Sequence, residues 1–351
     1  MTDAAAGEAR TVDVAPAHRF DETALRTWLQ ASIPDFGSAM RVRQFHGGMS
    51  NPTFLLETDG GARRFVMRKQ PPGALLASAH QVDREFRVMR ALAGSDVPVP
   101  PARALCQDRS VIGTDFYVMD YVPGRILTGA GLPGLTQEER AALYDDFGRV
   151  LAALHGVDPA AVGLADFGRP GDFVARQLAR FTRQYRDAQT ETIPAMEALV
   201  ERLPGLAPGG SRVAIVHGDY KLGNVMVHPS EPRIVAVLDW ELATLGDPLA
   251  DLAYSAFPWR GIYGSTAPGA PDMTAPGIPT EARFVADYCK RTGREGAPAW
   301  NFYLAFSLFR LASIMQGVYR RILSGSAASE AAAVNQCPQL AKRALEILDG
   351  G

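Results

Sequence analysis

The sequence predicts an α+β protein, with a small antiparallel sheet and one helix in its first third and a larger, mainly helical region after it. Three segments, 41–45, 53–58 and 63–69, are strand-like, and the DGGA between the last two is typical of a hairpin turn. Beyond residue 135, most segments instead repeat apolar residues at helical spacing. A chain of 351 residues is long enough for each region to build its own core.

Composition limits the classes of partner. The formal charge of −2 indicates no basic surface, so we expect no nucleic-acid and no membrane partner. The three cysteines are far apart and odd in number, which favours isolated thiols in a reducing compartment. No window approaches the roughly 18 unbroken apolar residues of a membrane span. We therefore expect a cytoplasmic protein.

Turn signals and composition set the predicted domain boundaries. Residues 1–19 carry acids and no continuous apolar stretch, so we expect a flexible N-terminus and not a signal peptide. An N-lobe with the sheet is predicted over 20–122, and a helical C-lobe over 123–351. The stretch 257–280 is rich in Pro and Gly and lacks periodicity. Loops of this length are commonly functional, and we expect this one to help roof the substrate.

Capping patterns locate the helices. Ser78 followed by Gln81 is a capping-box pattern ahead of the helix of the N-lobe. Thr136 followed by Glu139 is a second one, and it predicts a helix that ends near Gly156. Further helices are predicted at about 172–188, 247–256, 280–293, 300–323 and 329–349.

One carboxylate falls on the apolar face of the N-lobe helix. Glu85 lies three residues after Val82 and four before Met89, so it points toward the core, where it needs a cation. Arg68 and Lys69 end the preceding strand, and because strand side chains alternate, only one of them can point inward. A partly exposed Glu85 without a partner is the alternative.

A glycine-rich segment lies between two predicted strands. Gly47, Gly48, Ser50 and Asn51 have small side chains and free backbone N–H groups, which can approach a phosphate closely. An ordinary turn is the alternative. The segment is neither a Walker A loop, which would contain GK[ST], nor a Rossmann turn, which would precede a helix.

Polar residues occur at the ends of the predicted strands in VHGDYKLGNVMVHPSEPRIVAVLDW (216–240). Asp219 follows one strand, Asn224 precedes the next, and Asp239 stands at the exit of a third. Side chains at the ends of neighbouring strands converge, and these three offer the hard oxygen ligands that Mg²⁺ requires. Asx caps and turns are the structural alternative for each residue taken alone.

These motifs carry a resemblance to a known family. H-x-D-x-x-x-x-N followed by a strand that ends in Asp resembles the catalytic and metal loops of the protein-kinase-like fold. HGDYKLGN is similar to the aminoglycoside phosphotransferase and choline kinase branch. The closest resemblance is to the phosphotransferase domain linked to acyl-CoA dehydrogenases and its stand-alone bacterial relatives. It is carried by RKQPPGALLASAHQVDREF (68–86), VIGTDFYVMDYVPGRI (111–126) and DWELATLGDPLADLAY (239–254).

The resemblance implies a bilobal fold and a role for each matching residue. Asp219 would be the catalytic base, and Lys221 would contact phosphate, with a solvated loop lysine as the alternative. Asn224 and Asp239 would hold Mg²⁺. His217 and Asp251 would brace the catalytic loop. The cofactor-binding set would be the glycine loop named above, Arg68 on the α/β-phosphates with Glu85 behind it, and the backbone of Asp120, Tyr121 and Val122 against adenine.

Five residues are candidate substrate contacts: Trp240, Glu241, Trp259, Arg260 and Arg310. Glu241 has two interpretations, a group behind the metal or a surface acid. Arg310 lies in the middle of an apolar helix and needs a partner, which could be structural or an anionic group of the substrate.

By resemblance, the protein is an ATP- and Mg²⁺-dependent phosphotransferase that moves the γ-phosphate to a hydroxyl of a small molecule. The preferred acceptor is a hydroxyacyl or acyl-CoA-type molecule. An aminoglycoside phosphotransferase is the alternative, although the mixed charges of 257–293 do not favour a polycation. A weakly active nucleotide-binding regulatory protein and a metal phosphohydrolase are the other classes. Nothing in the sequence resembles a flavin site.

Overall fold

The structure is a computed structural model, and it describes residues 10–34, 36–46, 51–71, 81–127, 129–169, 172–209, 212–262, 271–324 and 334–350. Its first part is a six-stranded antiparallel sheet in the order β1-β2-β3-β4-β6-β5. The elements of this part are β1 (Thr11–Val12), α1 (Glu22–Ser32), β2 (Met40–Phe45), β3 (Thr53–Thr58), β4 (Arg63–Lys69), α2 (Val82–Leu92), β5 (Ala102–Cys106) and β6 (Phe116–Asp120).

The second part is mainly helical and contains two small two-stranded sheets, β7 with β10 and β8 with β9. Its elements are α3 (Gln137–Gly156), α4 (Phe173–Ala188), α5 (Pro194–Leu206), β7 (Ala214–Val216), β8 (Val225–Val227), β9 (Ile234–Val237), β10 (Thr244–Gly246), α6 (Pro248–Ser255), α7 (Glu281–Thr292), α8 (Trp300–Leu323) and α9 (Cys337–Leu348). The predicted α+β class is confirmed, and the lobe boundary between 122 and 123 stays a prediction.

The sheet of the N-lobe has a different core on each face. On one face, Leu25 and Leu29 of α1 pack with Phe54, Phe65 and Phe116 of the sheet. The other face packs against α2, in a core that continues into the C-lobe. The sheet is therefore anchored on both sides, and the end of β4 is held at the junction of the two lobes.

Several local predictions are confirmed. Thr136 and Glu139 form the predicted capping box: the Glu139 N–H donates to Thr136 Oγ1, and the Thr136 N–H donates to Glu139 Oε2. The three cysteines are free and buried. Within the described ranges, no helix has both the length and the apolar character that a bilayer span would need.

Three other predictions are wrong. Residues 11–18 are structured, because β1 pairs with β2 and a 3₁₀ turn follows at Pro16–His18. α2 begins at Val82 with Gln81 as its N-cap, so the capping box built on Ser78, which lies outside the described residues, is not its start. The N-lobe contains a second helix, α1, which starts where the Asp21 carboxylate accepts from the N–H groups of Thr23 and Ala24.

Candidate active site

The predicted polar residues do converge at strand ends. β8 and β9 pair with Val225 opposite Val237, which places Asn224 beside Leu238. The Leu238 N–H donates to the Asn224 carbonyl at 2.8 Å, and His217 Nε2 donates to the Leu238 carbonyl at 2.8 Å. Because Leu238 is held from both sides, Asp239 is fixed beside the loop that carries Asp219 and Asn224.

The Asp219 carboxylate is oriented by its neighbours. Asn224 Nδ2 donates to Asp219 Oδ2 at 2.8 Å and to the Asp219 carbonyl at 2.9 Å. Lys221 Nζ lies 2.8 Å from the same Oδ2 atom. The Tyr254 hydroxyl also hydrogen-bonds to this carboxylate. A carboxylate with donors on one side and 18% exposure is placed to accept a proton from a molecule in the cleft.

A buried carboxylate holds the start of this loop. Asp251, which is 1% exposed, accepts from the backbone N–H groups of His217 at 2.5 Å and Gly218 at 2.8 Å, and His155 Nε2 lies 3.4 Å away. Gly218 adopts a φ of +85°, and a Cβ there would lie 2.8 Å from the Leu242 carbonyl, so this position requires glycine. Burial alone would raise the pKa of Asp251, but the bonds and charges of its neighbours lower it overall.

His217 is fully buried. Its Nδ1 accepts from the Asp219 N–H at 3.2 Å while its Nε2 contacts the Leu238 carbonyl. These partners assign the ring proton to Nε2. The ring therefore links the two loops, in the place expected for a supporting residue.

Asn224 and Asp239 fit a small, hard cation. Asn224 uses its amide nitrogen on Asp219, which leaves its amide oxygen for another partner. Asp239 has a φ of 64°, a strained value for a residue with a side chain, and such strain is concentrated at functional sites. Within the described residues, no group of three or more His, Cys, Asp or Glu side chains forms a metal site. Two oxygen ligands completed by phosphates and water is the arrangement that Mg²⁺ commonly uses.

Arg68 connects the two lobes. Its Nη1 lies 3.1 Å from Glu85 Oε2 in the N-lobe, and its Nη2 lies 2.7 Å from Asp239 Oδ1 in the C-lobe. Glu241 Oε2 lies 3.8 Å from the same Nη2. Burial lowers the pKa of the Arg68 guanidinium, but the surrounding acids raise it overall, so the charge is retained. One guanidinium thus neutralises a buried glutamate and a predicted metal ligand together.

Glu85 is buried as predicted, and it has three donors. Asn51 Nδ2 donates to its Oε1 at 2.9 Å, and the Tyr117 hydroxyl donates to its Oε2 at 3.0 Å, beside Arg68. Burial raises the pKa of Glu85 to about 7, and Arg68 opposes that shift. The alternative of an exposed, unpartnered glutamate is wrong, because Glu85 is 1% exposed.

Replacing Arg68 by lysine is expected to lower the free energy of unfolding by about 1–3 kcal/mol. One ammonium group cannot reach Glu85 and Asp239 together, so one carboxylate loses its charged donor. Urea unfolding would measure the difference. Arg41→Lys, the same change at an exposed position of β2, is the control. Equal stability of Arg68→Lys and wild type would contradict the interlobe role of Arg68.

Lys69 points to the opposite face of β4. It is 3% exposed, and burial lowers its pKa. On that face the pKa of His18 is lowered as well, mainly by burial and also by the charge of Lys69. Of the two cations, Arg68 is the one that faces the predicted nucleotide site.

The predicted adenine-binding segment follows β6. The Tyr121 N–H donates to the Arg64 carbonyl, and the Asp120 carboxylate pairs with Arg103. The Val122 N–H has no hydrogen-bond partner in the part of the chain that the structure describes. Gly47, Gly48 and Ser50 of the predicted phosphate loop lie outside the described residues.

The two tryptophans predicted to contact substrate differ in burial: Trp240 is buried, whereas Trp259 is partly exposed and its substrate contact stays a prediction. Trp240 is 1% exposed and its indole N–H donates to the Val237 carbonyl at 3.0 Å, so its prediction as a substrate contact is wrong. Trp259 donates to the Pro279 carbonyl at 2.8 Å and stacks on Phe284 with a centroid distance of 5.1 Å. Both rings help to position the loops that carry them.

The remaining candidates lie in two places. Arg260 pairs with Glu281 and lines a cavity of about 800 Å³ at α7 and the start of α8, and neither Asp219 nor Asp239 lines that cavity. Glu241 lies beside Arg68, as described above. Arg310 reaches the carbonyl of Gly218, immediately before the predicted base. Glu241 and Arg310 are thus the two candidates near the polar cluster.

Sequence reasoning missed two tyrosines. Tyr254 contacts Asp219, and Tyr117 donates to Glu85. Tyr117 stands opposite Arg68 in the register of β4 and β6, so a correct strand alignment would have indicated it. Asn51 was predicted to bind the nucleotide, and in the structure its amide holds Glu85.

Comparison with known proteins agrees with this geometry. Residues 41–306, more than half of the chain, match the phosphotransferase enzyme family. The chain belongs to the phosphotransferase enzyme family. The phosphotransferase resembles a crystal structure from Ralstonia eutropha that bears the provisional name aminoglycoside phosphotransferase. The identity is 45%, the TM-score is 0.84, and the match covers 94% of this chain and 99% of that one.

The phosphotransferase also matches parts of longer proteins. It is 46% identical to mouse acyl-CoA dehydrogenase family member 10 over 84% of this chain and 28% of that protein. It is 40% identical to human acyl-CoA dehydrogenase family member 11 over 94% of this chain and 43% of that protein. The chain thus spans less than half of either relative. Choline kinase from Cryptosporidium parvum, with a TM-score of 0.62 and 14% identity over 94% of this chain and 95% of that one, shares the fold. The predicted family resemblance and kinase-like fold are confirmed.

Proposed function

We propose that this phosphotransferase transfers the γ-phosphate of ATP, with Mg²⁺, to a hydroxyl of a small molecule of hydroxyacyl or acyl-CoA type. The observation that carries the proposal is the convergence of Asp219, Asn224 and Asp239 with the Arg68–Glu85 pair. These five side chains come from both lobes and supply a base, two oxygen ligands and a forked cation. Phosphoryl transfer needs mainly positioning and neutralisation of charge, and this set provides both.

Each residue has a defined part in the reaction. The acceptor oxygen forms a bond to the γ-phosphorus, the bond from that phosphorus to the β–γ bridging oxygen breaks, and ADP leaves. The hydroxyl proton passes to the Asp219 carboxylate. Asn224 and Asp239 would hold Mg²⁺, which would supply positive charge to the phosphates. Arg68 would exchange its bond to Asp239 for phosphate oxygens and keep Glu85 as its anchor.

The acceptor class rests on similarity. The relatives that are 40–46% identical carry names of the acyl-CoA dehydrogenase family, and this chain corresponds to part of each. A domain joined to enzymes of acyl-CoA metabolism has a natural acceptor in a hydroxylated acyl group. We do not propose that this chain catalyses dehydrogenation.

Antibiotic phosphorylation is the second candidate, because the Ralstonia eutropha protein bears the name of an aminoglycoside phosphotransferase. The surroundings of Asp219 weigh against it. Arg310 contacts the residue before Asp219, and Arg180 of α4 is close enough to Arg310 to affect its pKa. The Arg310 cation beside the predicted base would oppose a polycationic acceptor.

The test is acceptor-dependent ADP release by the purified chain. A panel would contain hydroxy acids, their CoA thioesters, aminoglycosides and neutral sugars, each with ATP in the presence of Mg²⁺ or EDTA. We expect ADP release with a hydroxyacyl compound and Mg²⁺, and a phosphorylated product in the ³¹P NMR spectrum. Release with aminoglycosides alone would favour the second candidate. Phosphate release from phosphoesters without ATP would overturn phosphotransfer in favour of a phosphohydrolase.

A further inference from the structure

Arg310 occupies an unusual place in the C-lobe. Its neighbours along α8, from Phe302 to Phe309, are buried and mostly apolar. Its guanidinium carbon lies 5.5 Å from the ring centre of Phe181 and 5.8 Å from that of Phe306. Helix α8 therefore places the Arg310 guanidinium among aromatic rings, close to the catalytic loop.

Among the residues that the structure describes, the Arg310 guanidinium has no carboxylate as a counter-ion. Its Nε is buried and has no hydrogen-bond partner, and its contact to the Gly218 carbonyl is long, at 3.5 Å. No carboxylate lies within 4 Å of it in the described part of the chain. An arginine has five N–H donors, and a single long contact does not satisfy them. Arg310 is partly exposed as a residue, but a buried N–H donor such as its Nε is costly without an acceptor, and such groups are usually paired.

The charges that surround Arg310 do not supply that partner. Burial lowers its pKa, and Asp251, Tyr254 and Asp219 oppose this, while Arg180 adds to it. The oxygens of Asp251 already accept from backbone N–H groups of the catalytic loop. Asp219 is already contacted by Lys221 and Asn224. Neither acid is free to pair with Arg310.

Arg310 lies next to the predicted catalytic base, Asp219. Gly218 immediately precedes Asp219, and the Tyr254 hydroxyl contacts Asp219 while interacting electrostatically with Arg310. A molecule that presents its hydroxyl to Asp219 would pass close to this guanidinium. The rings of Phe181 and Phe306 flank the same guanidinium and are buried, so they hold the arginine side chain in place.

We propose that Arg310 binds an oxyanion of the acceptor, a carboxylate or a phosphate, and so selects acidic hydroxylated molecules. This rests on the proposed phosphotransfer and narrows its substrate class. The planar fork of arginine matches an oxyanion in a bidentate manner, which a lysine cannot do.

The experiment compares matched acceptors. Medium-chain hydroxy acids are the probes, each assayed as the free acid, the uncharged methyl ester and the CoA thioester. The proteins are wild type, Arg310→Gln and Arg310→Lys. Arg321→Gln, the same change at an exposed position of the same helix, is the control. The readouts are kcat/KM for ADP release and the affinity for the acid by calorimetry with a non-hydrolysable ATP analogue.

We expect wild type to prefer the acid over its ester, and Arg310→Gln to lose about 10- to 100-fold in kcat/KM for the acid with little change for the ester. Arg310→Lys should recover part of the loss, and Arg321→Gln should behave as wild type. If the thioester, and not the acid, shows the sensitivity to Arg310, the oxyanion is a phosphate of CoA.

Two results distinguish a failure of the Arg310 inference from a failure of the proposed phosphotransfer. If ADP release depends on Asp219 but Arg310→Gln lowers acid and ester equally, Arg310 is a brace of the Gly218 carbonyl, and this inference is wrong while the phosphotransfer stands. If no acceptor of any charge gives ADP release that depends on Asp219, the proposed function fails, and the inference fails with it. Unchanged kcat/KM for both the acid and the CoA thioester in Arg310→Gln would also overturn the inference.

Discussion

Replacing Asp219 by asparagine is expected to lower kcat for phosphoryl transfer by about 10²- to 10⁴-fold, the usual contribution of a positioned general base. Asparagine keeps the shape of the side chain but cannot accept the hydroxyl proton. Asn224 and Lys221 donate to the Asp219 carboxylate, so a neutral amide there would also face two donors with one acceptor oxygen. Steady-state kinetics with the best acceptor of the panel would measure the loss.

The control separates this chemistry from a general loss of charge. Glu231→Gln makes the same change in the turn between β8 and β9, where the side chain is 55% exposed and pairs with Arg233. We expect wild-type kinetics from it. Both variants should bind ATP as wild type does, because Asp219 is not assigned to the nucleotide. Wild-type kcat in Asp219→Asn would rule out Asp219 as the base.

Replacing Asp251 by alanine is expected to lower the free energy of unfolding by about 3–5 kcal/mol. The carboxylate is 1% exposed and accepts from the N–H groups of His217 and Gly218, and His155 lies beside it. Its removal leaves two buried backbone donors unpaired in a loop that must keep the positive φ of Gly218. Urea unfolding at neutral pH would measure the loss, and kcat should fall as well.

Asp166→Ala removes a carboxylate of the surface, 75% exposed and paired with Arg87, and serves as the control. Exposed ion pairs contribute little, so we expect near wild-type stability. The pKa of Asp251 is held below its ordinary value of 3.8. The contribution of Asp251 to the free energy of unfolding is therefore complete above pH 3.8. It is lost as the pH falls through the lower pKa that Asp251 has in the folded protein. If the Asp251→Ala variant is as stable as wild type at pH 7, Asp251 does not brace the catalytic loop.

Much of the site followed from short-range rules. The period of a strand placed Arg68 and Lys69 on opposite faces, and the period of a helix placed Glu85 on the buried face. The capping box of α3 was readable because its two partners are three residues apart. The spacing of Asp219, Asn224 and Asp239 predicted convergence, since strand ends meet at one edge of a sheet.

Other features depend on contacts between distant residues. Trp240 follows a predicted metal ligand directly, yet its ring packs into the core against His217, with a centroid distance of 4.7 Å. α1 has a clear cap at Asp21, but its existence was missed because a short amphipathic segment gains most of its stability from the sheet beneath it.

The sequence by itself determined the family and the residue types that the chemistry needs, because these follow from local patterns and matching motifs. Only the tertiary structure decided which charges meet. Arg68 binds both Glu85 and Asp239, and Asp239 lies 171 residues after Arg68 in the sequence. Within the described residues, Arg310 has no carboxylate partner. Pairing of this kind depends on how the two lobes and their helices pack, and no periodicity within one segment encodes it.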